Sequence, residues 1–501
     1  MSLLIHTQEF SEYFRNVSQF LQEFSWIYKT PVTNLLTQDV FSKIPNEWKG
    51  HILDLSIEEL NEVPLGFIKD SSPRTLQNFI RNCKELTLPE LAGLPLNLPS
   101  CSDDWLQSVP KEIWKGMSQK KKQEVQLMSA FVHNECKALG ISNIVDLGSG
   151  LGYVNRLLLL QGYKILGVES QEKLVNFATT LKDKIFPSEI AMKISYINLN
   201  ICENSIPELR NALVKTLITP YKGHRTMSNY EDNEDKNNFN QKENFTKCRY
   251  EEVAEGNGKV CMIGLHACGD LAVSGLKMFL NLPEVSALVM IPCCYHKMAL
   301  DSNVEVESGV EKFHNIPQSQ SLAKACAEGE NFICRSLLRL ASQGTNSSWM
   351  SWSAADHRQH SFNVLARAVV ELYAQKENAS FKKNFRRLAR KSLLKDQNFS
   401  NYISEILSRS EMRDEDQMTD FAIENEKIHS ELLCLWELHQ DKLPLVEVIT
   451  VLQMCLEPVV ESLVVADRIC FLREQNINNV RIVRIIDNRI SPRSLAYIAS
   501  K

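Results

Sequence analysis

The stretch Ile144–Ser170, IVDLGSGLGYVNRLLLLQGYKILGVES, decides the fold. An apolar run ends at Asp146, a turn spaced by Gly148, Gly150 and Gly152 follows, an apolar helical pattern runs to Leu160, and a second β-type run ends at Glu169. Strand, glycine turn, helix, strand, acid is one half of a nucleotide-binding parallel sheet. Glycines let the backbone bend tightly and meet a ligand with no Cβ in the way. The helix behind them opens with free N–H groups facing the crevice. Glu169 stands nineteen positions after Gly150, where a carboxylate can accept both hydroxyls of an adenosine ribose. A charge-assisted hydrogen bond of this kind contributes about 1.5–3 kcal/mol.

Spacing separates two nucleotide readings. Dinucleotide loops use G-x-G-x-x-G, whereas here one residue lies between the last two glycines and Asp146 stands two positions before the first. A carboxylate repels a pyrophosphate and attracts the cationic methionine end of S-adenosylmethionine. The loop therefore resembles that of class I methyltransferases, with Asp146, Gly148, Ser149, Gly150, Gly152, Tyr153, Glu169 and Ser170 as the expected cofactor contacts.

With 501 residues, 44% of them hydrophobic, the chain has length for two or three globular domains. A net charge of −5 and a pI near 6.2 create no global basic field, so a nucleic-acid partner would need a local patch. Fourteen cysteines, no signal-like N-terminus and no apolar run expected to span a bilayer point to reduced thiols in the cytoplasm, the nucleus or both, with no membrane partner.

From His6 to about Leu106 apolar residues recur at helical spacing, with Phe10, Phe14, Val17, Leu21 and Phe24 in one stripe and prolines dividing the segment. The expected division is an N-terminal helical domain over residues 1–112 and a methyltransferase-type domain over 113–501. A helix over Met117–Leu139 starts near Ser118 and ends at Gly140. A third strand over Lys193–Leu199 brings Asn198 or Asn200 to the adenine edge, with Asn200 as the cofactor contact. Residues 221–259 are too polar to offset their ordering entropy and read as a disordered insertion. A fourth strand, Val260–Leu265, delivers His266-Ala267-Cys268-Gly269-Asp270, with Asp270 placed to cap the next helix. The fifth, Val285–Ile291, delivers Pro292-Cys293-Cys294-Tyr295-His296 to the same crevice. Residues 320–440 read as a helical insertion, with a basic run over Phe381–Lys395 that suits a solvated face or an RNA or acidic-protein contact. Leu443–Leu472 reads as a buried amphipathic helix or helix pair, and Val480–Ile486 with Leu495–Ala499 as a closing hairpin.

Several segments together resemble the methyltransferase-like protein 25 family: MSQKKKQEVQLMS at Met117, VDLGSGLGY at Val145, GLHACGDLA at Gly264, PCCYHKM at Pro292, RAVVE at Arg367, LEPVVESLVVADRICFLREQ at Leu456 and SPRSLAYIA at Ser491. The resemblance implies an α/β class I methyltransferase (Rossmann-like) fold with a seven-stranded sheet closed by an antiparallel C-terminal hairpin, S-adenosylmethionine as cofactor, and His266, Cys268, Gly269, Asp270, Cys293, Cys294, Tyr295 and His296 lining the crevice. Leu151, Gln123 and the segment Asn315–Ser319 depart from the family pattern. It carries over no acceptor, and RNA and protein both stay open.

His266, Asp270, Cys293 and His296 are the candidate catalytic residues, with His266 also a cofactor neighbour. A neutral imidazole serves as a base where the acceptor carries a proton. Cys293 after Pro292 invites comparison with RNA cytosine-5 methyltransferases, whose thiolate attacks the base, although the acidic partners of that chemistry are missing. Cys268, Cys293, Cys294, His266 and His296 offer soft ligands, but adjacent Cys293 and Cys294 would point apart on a regular strand and no C-x-x-C pair is present, so no metal is expected. The competing class is a methyltransferase-like domain without turnover that acts as a binding or scaffold protein.

Overall fold

A computed structural model of the chain describes residues 7–89, 103–219, 258–301, 311–342, 346–383, 398–414 and 425–501. Nine strands occur among the described residues: β1 Asn143–Leu147, β2 Lys164–Glu169, β3 Ile194–Asn198, β4 Val260–Cys268, β5 Val285–Cys293, β6 Ala379–Lys383, β7 Ser410–Asp414, β8 Asn479–Arg484 and β9 Leu495–Ser500. Seven of them form one sheet in the order β3-β2-β1-β4-β5-β9-β8. β1 to β5 pair in parallel, while β9 runs antiparallel to both β5 and β8. This is the class I methyltransferase fold, with its parallel core and closing antiparallel hairpin.

The reasons are local. β1 is buried at all five positions, which suits a parallel strand covered on both faces. Ser118 caps the helix Gln119–Leu139 by accepting from the Lys121 N–H at 3.2 Å, and Gly140 ends it at φ 64°. At the sheet's carboxyl edge Gly148, Gly150 and Gly152 all hold positive φ. A Cβ on Gly152 would lie 2.0 Å from Oη of Tyr196, so β3 packs a phenol directly beneath the loop.

The chain divides into two compact units elsewhere than residue 112. The first comprises 1–14, 89–325 and 463–501, and the second 15–88 and 326–462. The second unit is mostly helical, and its two pieces come from distant parts of the chain. His357, 3% exposed, shows how they join: Nδ1 meets Glu447 Oε1 at 2.5 Å and Nε2 meets Asn61 Oδ1 at 2.8 Å. Asn61 donates in turn to the Trp352 carbonyl, and Trp349 Nε1–H to the Leu60 carbonyl. Periodicity marks such helices but not which distant helix completes them.

One further expectation changes, and another is decided between its two alternatives. The span 320–440 is not wholly helical, since β6 and β7 pair as an antiparallel hairpin inside it. The helix Leu443–Glu474 forms unbroken through Pro458, and the helical stretch Glu426–Glu474 is, by length and composition alone, apolar enough to cross a membrane. Of its most apolar window 94% is buried inside the protein, as in a core helix. The polar insertion lies outside the described residues but for Gly258 and Lys259, as does the basic run beyond Lys383.

Candidate active site

The carboxyl ends of β1 to β4 and the segments behind β5 surround a cavity of about 910 Å³, within the range that holds a nucleotide-sized ligand. Gly148, Glu169, Ser170, Gln171 and Asn200 line one side, and His266, Cys268, Asp270, Lys277, Lys297 and Asn315 line the other.

Glu169 organises the first side. Its Oε2 accepts from the Gly150 N–H at 3.1 Å, and its Oε1 accepts from the Gln171 N–H at 3.0 Å and the Ser170 hydroxyl at 3.3 Å. Three bonds leave part of the carboxylate's capacity of about four for a ligand. Asn198 Nδ2 donates to the Glu169 carbonyl, whereas Asn200 lines the cavity, so the structure separates the two asparagines that spacing left open.

Asp146 departs from its expected place. It is 3% exposed and faces Asn155 beneath the loop rather than the cavity. Burial raises its pKa to about 7, against the pull of Asn155 and Lys121. A carboxylate so placed supports the loop from below and is only partly ionised at neutral pH. Ser149 and Tyr153 also point elsewhere: a Cβ on Gly167 would meet Ser149 Oγ at 3.0 Å, and the Tyr153 hydroxyl donates to the Gly116 carbonyl at 3.0 Å. Arg156 stacks 4.6 Å over the Tyr153 ring and donates to the carbonyls of Ile113, Lys115 and Leu151, tying the preceding segment to the loop.

On the second side His266 holds φ 65°, an uncommon conformation for a residue with a Cβ. Its Nε2 lies 3.1 Å from Glu124 Oε2. Burial pushes Glu124 up, but His266, Ser491 and Lys121 together bring it down to about 2. The carboxylate is therefore ionised and accepts, so Nε2–H donates and Nδ1 is the ring nitrogen outside this bond.

Asp270 accepts one bond on each carboxylate oxygen. It opens the helix Asp270–Asn281 behind Gly269 without capping it by side chain, and instead accepts from the Ala299 N–H at 2.9 Å and from Asn315 Nδ2 at 2.7 Å. It ties the end of β4 to the segments after β5. The segment Asn315–Ser319 is held from its other end by Asp467, which accepts from the Gln318 and Ser319 N–H groups and the Ser319 hydroxyl at 2.8–3.1 Å. Asp467 also pairs with Arg468 at 2.6 Å, and Arg468 reaches Met298 Sδ at 3.4 Å.

Cys293, one of the candidate catalytic residues, is buried, and its Sγ lies 2.8 Å from that of Cys268. That hydrogen bond, reinforced by burial, drives the Cys293 pKa upward. The same bond lowers Cys268 to about 6 against burial, with help from Cys294, Lys297 and His266. The acidic thiol is thus Cys268, which also lines the cavity. His296 is not among the cavity's lining residues. Lys277, which pairs with Glu203, and His314 line the cavity unforeseen, since no periodicity or spacing marked them.

Residues 120–301 match a family model described as a methyltransferase domain. The chain carries a methyltransferase domain. Its similarity extends to the human protein named probable methyltransferase-like protein 25, 22% identical over 476 residues that cover 77% of this chain and 75% of that protein. The mouse protein of the same name is 24% identical over 258 residues, covering 50% of this chain and 39% of that one. The resemblance read from the motifs is borne out at this level. A crystal structure of the methyltransferase domain of bacterial CtHen1 aligns over 33% of this chain and 64% of its own at 18% identity, with a TM-score of 0.18 that carries no argument. In the methyltransferase domain of this chain the matched span includes the glycine loop, Glu169, HACGD and PCCYH.

Proposed function

We propose that this domain transfers a methyl group from S-adenosylmethionine to an RNA or protein acceptor. The observation that carries the reading is the Glu169 carboxylate, anchored by the Gly150 N–H and opening into the cavity. The residues fit this cofactor. A Cβ added at Gly150 would meet nothing within 4 Å, so the loop backbone lies bare to a ligand, and Glu169 retains acceptor capacity for vicinal hydroxyls. Asn200 supplies both donor and acceptor beyond β3.

S-adenosylmethionine, when bound, supplies a methyl group already activated by its sulfonium. The chain's own task is then orientation, which can account for about 7–11 kcal/mol of barrier lowering. His266, held by Glu124, offers Nδ1 to a proton leaving the acceptor. Lys277 and Lys297 bring positive charge to the acceptor side of the cavity.

Isothermal titration tests the cofactor assignment: binding to the full chain is expected and should be lost in Glu169→Ala and Gly150→Arg, provided both variants stay folded. No binding to the folded wild-type chain overturns it. Labelled cofactor incubated with fractionated cell extract then reads the acceptor. Label in RNA or in protein assigns its class, and binding without label supports the scaffold alternative.

A further inference from the structure

At the floor of the cavity β4 and β5 end side by side, with Cys268 and Cys293 as register partners across the parallel pair. A regular strand would turn the next residue to the opposite face. Cys294 escapes this because it holds φ 52°, so the chain folds back and the third thiol rejoins the first two. The three sulfur atoms all lie within 4.8 Å of one another. This conformation, unfavourable for a residue with a Cβ, removes the geometric objection that two adjacent cysteines must diverge.

We propose that Cys268, Cys293 and Cys294 form a zinc site. Thiolates select soft or borderline cations, and tetrahedral zinc with Zn–S near 2.3 Å needs sulfur atoms about 3.8 Å apart. The cluster meets that scale with a sulfur shift of about 1 Å for the Cys268–Cys293 pair, now at 2.8 Å. Among the described residues the cluster has these three donors, and neither His266 nor His296 joins it. A three-thiolate site leaves the fourth position of the tetrahedron for water or an incoming ligand atom, the pattern of an open rather than a closed zinc site. Of the three cysteines, Cys268 lines the cavity, which places the site at the cavity wall. The metal would fix the two segments that form that wall, and it offers a Lewis-acidic point for an acceptor heteroatom.

The site stands independently of the methyl-transfer reading, because its measurement needs no S-adenosylmethionine. The full chain, purified under reducing conditions and dialysed, is expected to carry one equivalent of zinc by elemental analysis. Cys268→Ser, Cys293→Ser and Cys294→Ser should each reduce it at least tenfold, while Cys434→Ser, an exposed cysteine outside the cluster, should retain it. Should the serine variants misfold, cobalt titration of metal-free wild-type protein gives the second readout: thiolate-to-cobalt charge-transfer bands that saturate at one equivalent and vanish on adding zinc. Zinc well below stoichiometry together with no such bands overturns the proposal, as does full zinc retention in a folded triple-serine variant.

Discussion

Glu124 holds the Nε2 of His266 at 3.1 Å across 142 positions of sequence, joining the helix that precedes the sheet to the carboxyl end of β4 at the cavity. The carboxylate is nearly buried and also receives Lys121 at 3.4 Å. Replacing it by glutamine should lower stability at pH 7 by about 1–3 kcal/mol, since its partners lose an ionised acceptor. The folded pKa of about 2 lies below the unfolded value, so this contribution is present above about pH 4 and is lost as pH falls toward 2. Denaturant unfolding of wild type and Glu124→Gln at pH 7 and pH 2.5 should show the gap narrowing in acid.

Asp146 behaves oppositely. Burial raises its folded pKa to about 7, so its contribution is present below about pH 4, declines as pH rises, and levels off above pH 7. Asp146→Asn should be more stable than wild type at pH 8, by at most roughly 4 kcal/mol, and lose that advantage near pH 4. Equal stability gaps at the two pH values would contradict a buried, proton-holding carboxylate.

The glycine loop separates strain from crowding. Gly150→Ala adds a Cβ to open space at φ 53°, which should cost roughly 1–2 kcal/mol of conformational strain and leave the fold intact. Gly152→Ala, at φ 67°, also drives a methyl into the Tyr196 phenol and should cost about 1–3 kcal/mol more. Combining Gly152→Ala with Tyr196→Ala should recover part of the second loss and none of the first. Thermal unfolding of the single and double variants measures both.

Asp467 and Arg468 form a buried pair that also carries the backbone of Gln318 and Ser319. Asp467→Ala strands the guanidinium and should destabilise by about 3–5 kcal/mol. Asp467→Asn retains an acceptor for Ser319 and should lose less. Faster amide exchange at Gln318 and Ser319 in Asp467→Asn, with β1 to β5 unchanged, would show that the pair positions this segment rather than the whole sheet.

Much of this architecture is legible along the chain because its signals are short-range. The apolar run before Asp146, the αL glycines, the Ser118 cap and the alternating closing strands each act within a few residues. The pairing of residues 15–88 with 326–462 is not legible in this way, because any amphipathic helix offers an apolar face and none names its partner. The surroundings of Cys293 escaped the sequence for a similar reason. Its neighbour in sequence is Cys294, but the neighbour that sets its protonation is Cys268, brought alongside by strand pairing.

The sequence by itself determined the methyltransferase fold, the glycine loop, and Glu169 as the acid at its far side, because glycine spacing and strand periodicity encode backbone geometry directly. Only the tertiary structure decided that Asp146 lies beneath the loop, that Asp270 is a tie, and that three thiols converge. Those outcomes depend on burial and on contacts between residues far apart in the chain, and local spacing carries no record of either.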